Sequence, residues 1–246
     1  MNLLPKRVLK KINSQFGEFS VEELTYNGRP SRVLFNGPQH SAQSGIALDN
    51  DPRMLFDYNQ SLFELTQAMQ PKNILVLGGG ALTLPSKIVE HLRSSEIEVI
   101  EINPDLIKLA TEHFDFIPNP RLKVIVDDAF KVITKFPPSS YDLIITDLFN
   151  DLSTPDIFLS LDFAKELNRI KKTEGIVATN CISALSGDES EPARKLLSVY
   201  KEAIGPVRIV KVERQYHMNH TPQNLLILAG PNSSSLLPGL EEVNLV

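Results

Sequence analysis

From residue 73 onward, short apolar runs alternate with longer stretches whose apolar residues recur at helical spacing. The apolar runs predict strands, at residues 73–77, 98–102, 122–126, 141–147 and 175–180. The stretches between them predict helices, one starting near Thr83 and others at 104–114, 158–170 and 192–204. Strands and helices that alternate in this way form a parallel sheet covered by helices on both faces.

The last two predicted strands differ from the others because only a loop joins them. They are Val207–Val212 and Leu225–Ala229, and the connection is too short for a helical crossover. We therefore expect them to pair antiparallel. An α/β sheet that ends in an antiparallel hairpin is typical of the Rossmann-like, S-adenosylmethionine-dependent methyltransferase-type fold.

The first fifty residues follow a different pattern. Asn27-Gly28 lies between two β-prone runs and predicts a hairpin, and Ser44–Leu48 is a further short strand. Apolar residues at helical spacing between Met54 and Met69 then predict a helix. The sequence thus predicts a small N-terminal β-domain at 1–50 and a Rossmann-like nucleoside-binding domain at 51–246.

Composition narrows the class of protein. The net charge of −5 argues against a nucleic-acid partner. No apolar run approaches the roughly 20 residues of a membrane helix, and the basic N-terminal segment lacks the apolar core of a signal peptide. Cys181 is the only cysteine in the 246 residues, which excludes an intramolecular disulfide and fits a cytoplasmic location.

We expect the basic residues of the N-terminal segment to form one solvated helix face: Lys6, Arg7, Lys10 and Lys11.

Glycines or acids follow each of the first four strands of the predicted parallel sheet. They are Gly78, Gly79 and Gly80 after the first strand, Glu101 in the second, Asp127 and Asp128 after the third, and Asp147 at the end of the fourth. Ligands of such sheets bind at the carboxyl ends of the strands, so these residues predict one binding cleft.

The spacing of these residues points to a nucleoside. Glycines allow a tight turn close to a ligand, and Glu101, 21 residues after Gly80, is placed to accept both ribose hydroxyls. These two features fit both NAD-binding and S-adenosyl-type folds. The turn lacks the spaced third glycine that favours a pyrophosphate, and Asp128 can hold an adenine amino group. Both points favour an S-adenosyl ligand.

Between Gln43 and Cys181 the chain resembles the spermidine synthase (polyamine aminopropyltransferase) family, particularly its divergent bacterial branch. Six segments carry the resemblance: Gln43–Leu48, Leu55–Tyr58, Ile74–Gly80, Val99–Pro104, Val126–Phe130 and Tyr141–Asp147. The resemblance implies a transferase that moves an aminopropyl group from decarboxylated S-adenosylmethionine to an amine such as putrescine. It also implies a homodimer formed through the N-terminal β-domain, and we expect no metal.

The resemblance also implies a role for each matching residue. Glu101 would bind the ribose, Asp128 with Ala129 the adenine end, and Gln43 the nucleoside or its tail. Tyr58 would line the amine channel. Two further substrate-side candidates do not match a family position: Asp151 lies one residue beyond the family's second acid, and Tyr216 either lines the mouth of the cleft or packs in the core or rim. Asp147 would be the catalytic base: an alkylammonium has a pKa of about 10.4, so a carboxylate must take its proton before the nitrogen can attack a sulfonium.

Four positions depart from the family pattern. Ala81 stands where members usually carry Asp after the glycines, Asn59 and Gln60 replace His-Glu after the channel tyrosine, and Asn150 replaces a second Asp. These changes leave two alternatives open. One is a methyltransferase that uses intact S-adenosylmethionine, and the other is a non-catalytic nucleoside-binding paralogue.

Overall fold

The structure is a computed structural model that describes residues 4–149, 155–212, 218–231, 233, 236–237, 241–243 and 245. Its first part is a four-stranded antiparallel sheet with the strands in chain order. The strands are β1 (Arg7–Ser14), β2 (Gly17–Tyr26), β3 (Arg29–Asn36) and β4 (Ser41–Ala47). The predicted N-terminal β-structure is thus present, with more strands than the hairpin and one short strand expected.

The hairpin around Asn27-Gly28 is confirmed, and the expected basic helix is wrong. Tyr26 pairs with Arg29 across the turn, and both turn residues have positive φ, 49° and 80°. Residues 7–14 form β1 because they pair antiparallel with β2. Leu9 and Ile12 of this strand pack against the buried core, whereas Val8 and the basic side chains of the strand are exposed.

A second sheet of eight strands forms the larger part of the molecule. Its strands are β5 (Asn73–Leu77), β6 (Glu96–Glu101), β7 (Leu122–Val126), β8 (Tyr141–Thr146), β9 (Lys171–Ser183), β10 (Val207–Lys211), β11 (Gln223–Ala229) and β12 (Glu241–Val243). Their order is β12-β10-β11-β9-β8-β5-β6-β7. The five strands from β9 to β7 are parallel, and β10 and β11 form the expected antiparallel hairpin. This topology confirms the predicted fold class.

Helices cover both faces of this sheet. The helices are α1 (Asp57–Met69), α2 (Thr83–His91), α3 (Pro104–His113), α4 (Ala129–Val132), α5 (Leu161–Ile170) and α6 (Glu191–Ala203). The first three contribute to one buried apolar cluster and the last three to another. α5 begins later than expected because the Ser160 hydroxyl accepts from Phe163 N and caps it, after a short 3₁₀ turn at Asp156–Leu159.

The two sheets share a core. Phe19, Val21 and Leu34 of the N-terminal sheet belong to the same buried cluster as α1, α2 and α3. Arg32 Nη1 also donates to the backbone oxygen of His113, at the end of α3, over 2.7 Å. The division of the chain at residue 50 stays a prediction. In the described part of the chain, no helix has the length and apolar character needed to cross a membrane.

Candidate active site

The register of the parallel strands brings their carboxyl ends into one row. Leu77 pairs with Ile100 on one side and with Thr146 on the other. The residues that follow or end these strands, Gly78, Glu101 and Asp147, are therefore neighbours, and Asp147 N donates to the Leu77 oxygen over 2.8 Å. The predicted convergence of strand tips follows directly from this pairing.

A cavity of about 730 Å³ opens at this row of strand ends. Every predicted site residue that the structure describes lines it: Gln43, Tyr58, Gly78, Gly79, Gly80, Glu101, Asp128, Ala129 and Asp147. The substrate-side residues Asp151 and Tyr216 lie outside the described residues. The geometry brings the candidate residues together, and the role of each stays a prediction.

The glycine turn is shaped by contacts that leave no room for a side chain. Gly78 has φ +92°, and a Cβ there would lie 2.0 Å from the Asp147 backbone oxygen. A Cβ on Gly80, φ +52°, would lie 2.6 Å from Ser44 Oγ. That hydroxyl accepts from Ala81 N over 3.0 Å, so β4 of the N-terminal sheet holds the turn in place.

Glu101 is buried and bonded to the backbone around it. Its Oε2 accepts from Gly79 N and Gly80 N over 3.0 and 2.8 Å, and its Oε1 accepts from Asn103 N over 2.8 Å. Burial raises the pKa of Glu101 above its usual value, and these backbone hydrogen bonds oppose that rise. The carboxylate is therefore fixed in direction at the floor of the cavity.

The two acids that follow β7, Asp127 and Asp128, make different hydrogen bonds to the local backbone. Asp128 Oδ1 accepts from Phe130 N over 2.9 Å and caps α4, which fixes this carboxylate beside the cavity. Asp127 Oδ1 accepts from Asp128 N over 2.8 Å and supports the turn.

Asp147 is surrounded by neutral hydrogen-bond donors. Asn180 Nδ2 donates to Asp147 Oδ1 over 2.9 Å, and the Tyr58 hydroxyl is a second donor. Asp147 is partly exposed to the cavity, yet burial is the main influence on it and raises its pKa to about 6. The negative charge of Glu101 adds to the rise, while both donors oppose it. A carboxyl with this pKa is ionised at neutral pH and is a stronger base than an ordinary aspartate.

The structure adds Asn180 to the functional candidates that the sequence predicts. Thr146 of β8 pairs with Thr179 of β9, so Asn180 lies beside Asp147. Because Asn180 ends the predicted strand 175–180, the strand-end rule that found the acids also applies to it. Its Oδ1, like Asn59 Oδ1, is buried without a hydrogen-bond partner.

The cavity is acidic. Among the described residues that line it there is no Lys, Arg or His, and the acids are Asp57, Glu101, Asp127, Asp128 and Asp147. Such a wall favours a cationic ligand. Within the described ranges, no three His, Cys, Asp or Glu side chains are grouped closely enough to hold a metal ion.

The fold and the site are those of a methyltransferase-type α/β protein, whose acidic cavity is lined in part by the glycine turn after β5. Residues 56–190 match the family model described as Spermine/spermidine synthase domain. This match covers more than half of the chain, so the chain belongs to that family.

Individual relatives agree with this assignment. The polyamine aminopropyltransferase of Vibrio vulnificus (strain CMCP6) is 26% identical over 168 residues, which are 67% of this chain and 54% of that protein. The chain thus spans about half the length of this curated relative.

Solved structures share the fold. A probable spermidine synthase from Corynebacterium glutamicum ATCC 13032 has a TM-score of 0.75 at 22% identity, over 90% of this chain and 79% of that one. Human methyltransferase-like protein 13, in complex with SAH, has a TM-score of 0.58 at 21% identity, over 73% and 81% of the two chains.

Proposed function

We propose that this protein is an aminopropyltransferase, which transfers an aminopropyl group from decarboxylated S-adenosylmethionine to an amine such as putrescine. The observation that carries the proposal is Asp147, a carboxyl with a pKa of about 6 and neutral donors, in a cavity whose described lining has no cationic side chain. Such a site attracts both a sulfonium donor and an ammonium acceptor.

The donor nucleoside takes the part of the cavity between the glycine turn and the two neighbouring strand ends. Glu101 faces the ribose hydroxyls, and Asp128 with Ala129 takes the adenine. Gln43, on β4, contacts the nucleoside or its tail. These assignments are supported by the common cavity and by the fold shared with a structure that contains SAH.

The acceptor nitrogen attacks the carbon that joins the aminopropyl chain to the sulfonium. Asp147 first takes a proton from the ammonium, which leaves a lone pair on the nitrogen. A nitrogen–carbon bond then forms as the carbon–sulfur bond breaks, and its electrons neutralise the sulfur to give methylthioadenosine. Because the leaving group is already activated, the other residues act chiefly by alignment.

A methyltransferase that uses intact S-adenosylmethionine is the second candidate. The specific observation in its favour is Ala81, which is wholly buried where family members usually carry the Asp that holds the donor ammonium. In this reaction the methyl group moves to the nucleophile, and S-adenosylhomocysteine leaves.

One incubation separates these candidates. Purified protein is mixed with a panel of amines and either donor, and products are identified by mass spectrometry. An aminopropylated amine together with methylthioadenosine supports the proposal, whereas a methylated product supports the second candidate. If a donor or methylthioadenosine binds in calorimetry but no product forms, both enzymatic proposals fail and the non-catalytic nucleoside-binding paralogue replaces them. The homodimer and the cytoplasmic location stay predictions, which light scattering and cell fractionation would test.

A further inference from the structure

Strand β7 lies at one edge of the eight-stranded sheet. It pairs with β6 in an unbroken parallel register from Leu122 to Val126, and among the described residues the sheet has no further strand beyond it. Four of its five residues are apolar, none is proline, and Val126 at its end is 52% exposed. The outer backbone N–H and C=O groups of such a strand can pair with another extended segment.

Apolar surface continues beside this edge. A groove of about 480 Å³ is lined mainly by Ile107 of α3, by Phe116 and Pro118 of the loop before β7, and by Leu122 and Val124 of β7 itself. Ile117 of the same loop is 78% exposed. Val126 lies on the same face of β7 as Val124, because side chains alternate along a strand. Contiguous exposed apolar side chains of this kind mark a surface that another chain covers.

The charges at this edge are complementary to those of a second copy of the same edge. Lys123 and Asp127 are each two positions from Ile125, one in each direction. When two β7 strands run antiparallel about a two-fold axis at Ile125, Lys123 of each copy therefore lies opposite Asp127 of the other. The same arrangement sets Val124 opposite Val126 on the face that bears the groove. Opposite charges and apolar side chains that face each other across two strands stabilise the pair.

Both charged side chains can take a second partner. Lys123 Nζ lies 2.9 Å from Glu98 Oε1, and Asp127 Oδ2 lies 3.5 Å from Lys135 Nζ. The side chains of Lys123 and Asp127 nevertheless remain partly exposed. An ammonium has three donors and a carboxylate has about four acceptor sites, so one ion pair within the chain leaves room for another between chains.

We propose that β7 is a self-association surface, through which two copies of this chain pair antiparallel about Ile125 and join their eight-stranded sheets. A second copy fits this edge because the edge carries both signs of charge in the order that its own reversed sequence requires. The inference goes beyond the proposed function. The surface also differs from the dimer contact that the family resemblance implies, which lies in the N-terminal sheet.

Protection of the edge is the competing explanation for Lys123. A lysine on an edge strand can prevent pairing with other chains. Under that explanation the protein does not associate through β7, and substitutions at this edge leave its oligomeric state unchanged. Association through β7 therefore decides between the two explanations.

Sedimentation velocity over a concentration series tests the association. We expect a reversible step in which the mass doubles. Val126→Lys should raise the dissociation constant of this step at least about tenfold, because it buries an unpaired charge opposite Val124 of the second copy. Ile157→Lys is the matched control, since Ile157 is 44% exposed and lies in the 3₁₀ turn before α5. It should leave the dissociation constant within about twofold of wild type.

Cysteine cross-linking tests the register independently of affinity. Paired residues of antiparallel strands have Cα atoms about 4.5–5.5 Å apart, which is within the range for a disulfide. Ile125→Cys places the new thiol opposite its own copy, so mild oxidation should give a disulfide-linked dimer. Lys123→Cys places it opposite Asp127 and should give little. Cys181, the one native cysteine, is buried and does not compete.

Three results would overturn the inference. One is a wild-type protein with no association step that Val126→Lys weakens. Another is an equal loss of association in Ile157→Lys. The third is cross-linking of Lys123→Cys as efficient as that of Ile125→Cys, or no cross-linking of Ile125→Cys at all. None of these results depends on catalytic activity, so the inference stands or falls separately from the proposed function.

Discussion

Asn180→Leu is the substitution that tests most directly how Asp147 is tuned. Leucine has nearly the shape of asparagine and removes the amide that donates to Asp147 Oδ1 over 2.9 Å. It also removes an amide oxygen that is buried without a partner. We therefore expect folding stability to be nearly unchanged at pH 4, where Asp147 is protonated, and to fall at pH 8, where the charged carboxylate has lost its donor.

The expected rise in pKa follows from the strength of one charge-assisted hydrogen bond. A hydrogen bond to a charged group contributes about 1.5–3 kcal/mol, and about 1.4 kcal/mol corresponds to one pKa unit. The bond from Asn180 lowers the pKa of Asp147, so its loss should raise that pKa from about 6 to between about 7 and 8.

Carbon-13 NMR of labelled aspartate measures this titration without relying on activity, and the acid limb of kcat/KM should move with it. Thr179→Val is the control, because the Thr179 hydroxyl bonds Thr146 and Tyr200, at 2.8 and 2.7 Å, instead of Asp147. An Asp147 pKa that stays near 6 in Asn180→Leu, or rises equally in Thr179→Val, would refute the reasoning.

Three further substitutions test the site. The pKa of Asp147 is raised from 3.8 to about 6, so the folded protein binds this proton at a higher pH than the unfolded chain does. The free energy of unfolding should therefore fall by up to about 3 kcal/mol as the pH rises from about 4 to about 6. Asp147→Asn should remove that fall, which urea unfolding at pH 4 and pH 8 measures. Glu101→Gln should weaken methylthioadenosine binding at least about tenfold in calorimetry and lower the pKa of Asp147, since it removes a nearby negative charge. Gly78→Ala should lower the free energy of unfolding by more than about 3 kcal/mol, because of backbone strain and a Cβ only 2.0 Å from the Asp147 oxygen. Gly187→Ala, where φ is +73° but the space is open, should lower it by about 1 kcal/mol. Equal losses of stability in the two variants would contradict this account.

The parallel sheet and its acidic strand ends are predictable because each is a local signal. A buried strand shows as an apolar run, and the residue after it must lie at the carboxyl edge of the sheet. This rule predicts Glu101 and Asp147 as site residues. Asn180 satisfies the same rule, but its uncharged amide gives no signal in the sequence that points to chemistry.

The remaining features depend on contacts between distant parts of the chain. Residues 7–14 form a strand only because β2 is available to pair with them. The rings of Tyr26 and Phe56 likewise meet in the cavity wall, at 5.6 Å and 88°, although the two residues are 30 positions apart in the sequence. Neither arrangement leaves a periodic signal in one segment of sequence.

The role of Asp147 as the base is tested most directly by Asp147→Asn in a single-turnover reaction with donor and amine, read by mass spectrometry. Calorimetry with methylthioadenosine accompanies it. We predict that the alkylated amine disappears while nucleoside affinity stays within about twofold of wild type, because asparagine keeps the shape of the site and cannot take the proton. Product formation at the wild-type rate would contradict the account.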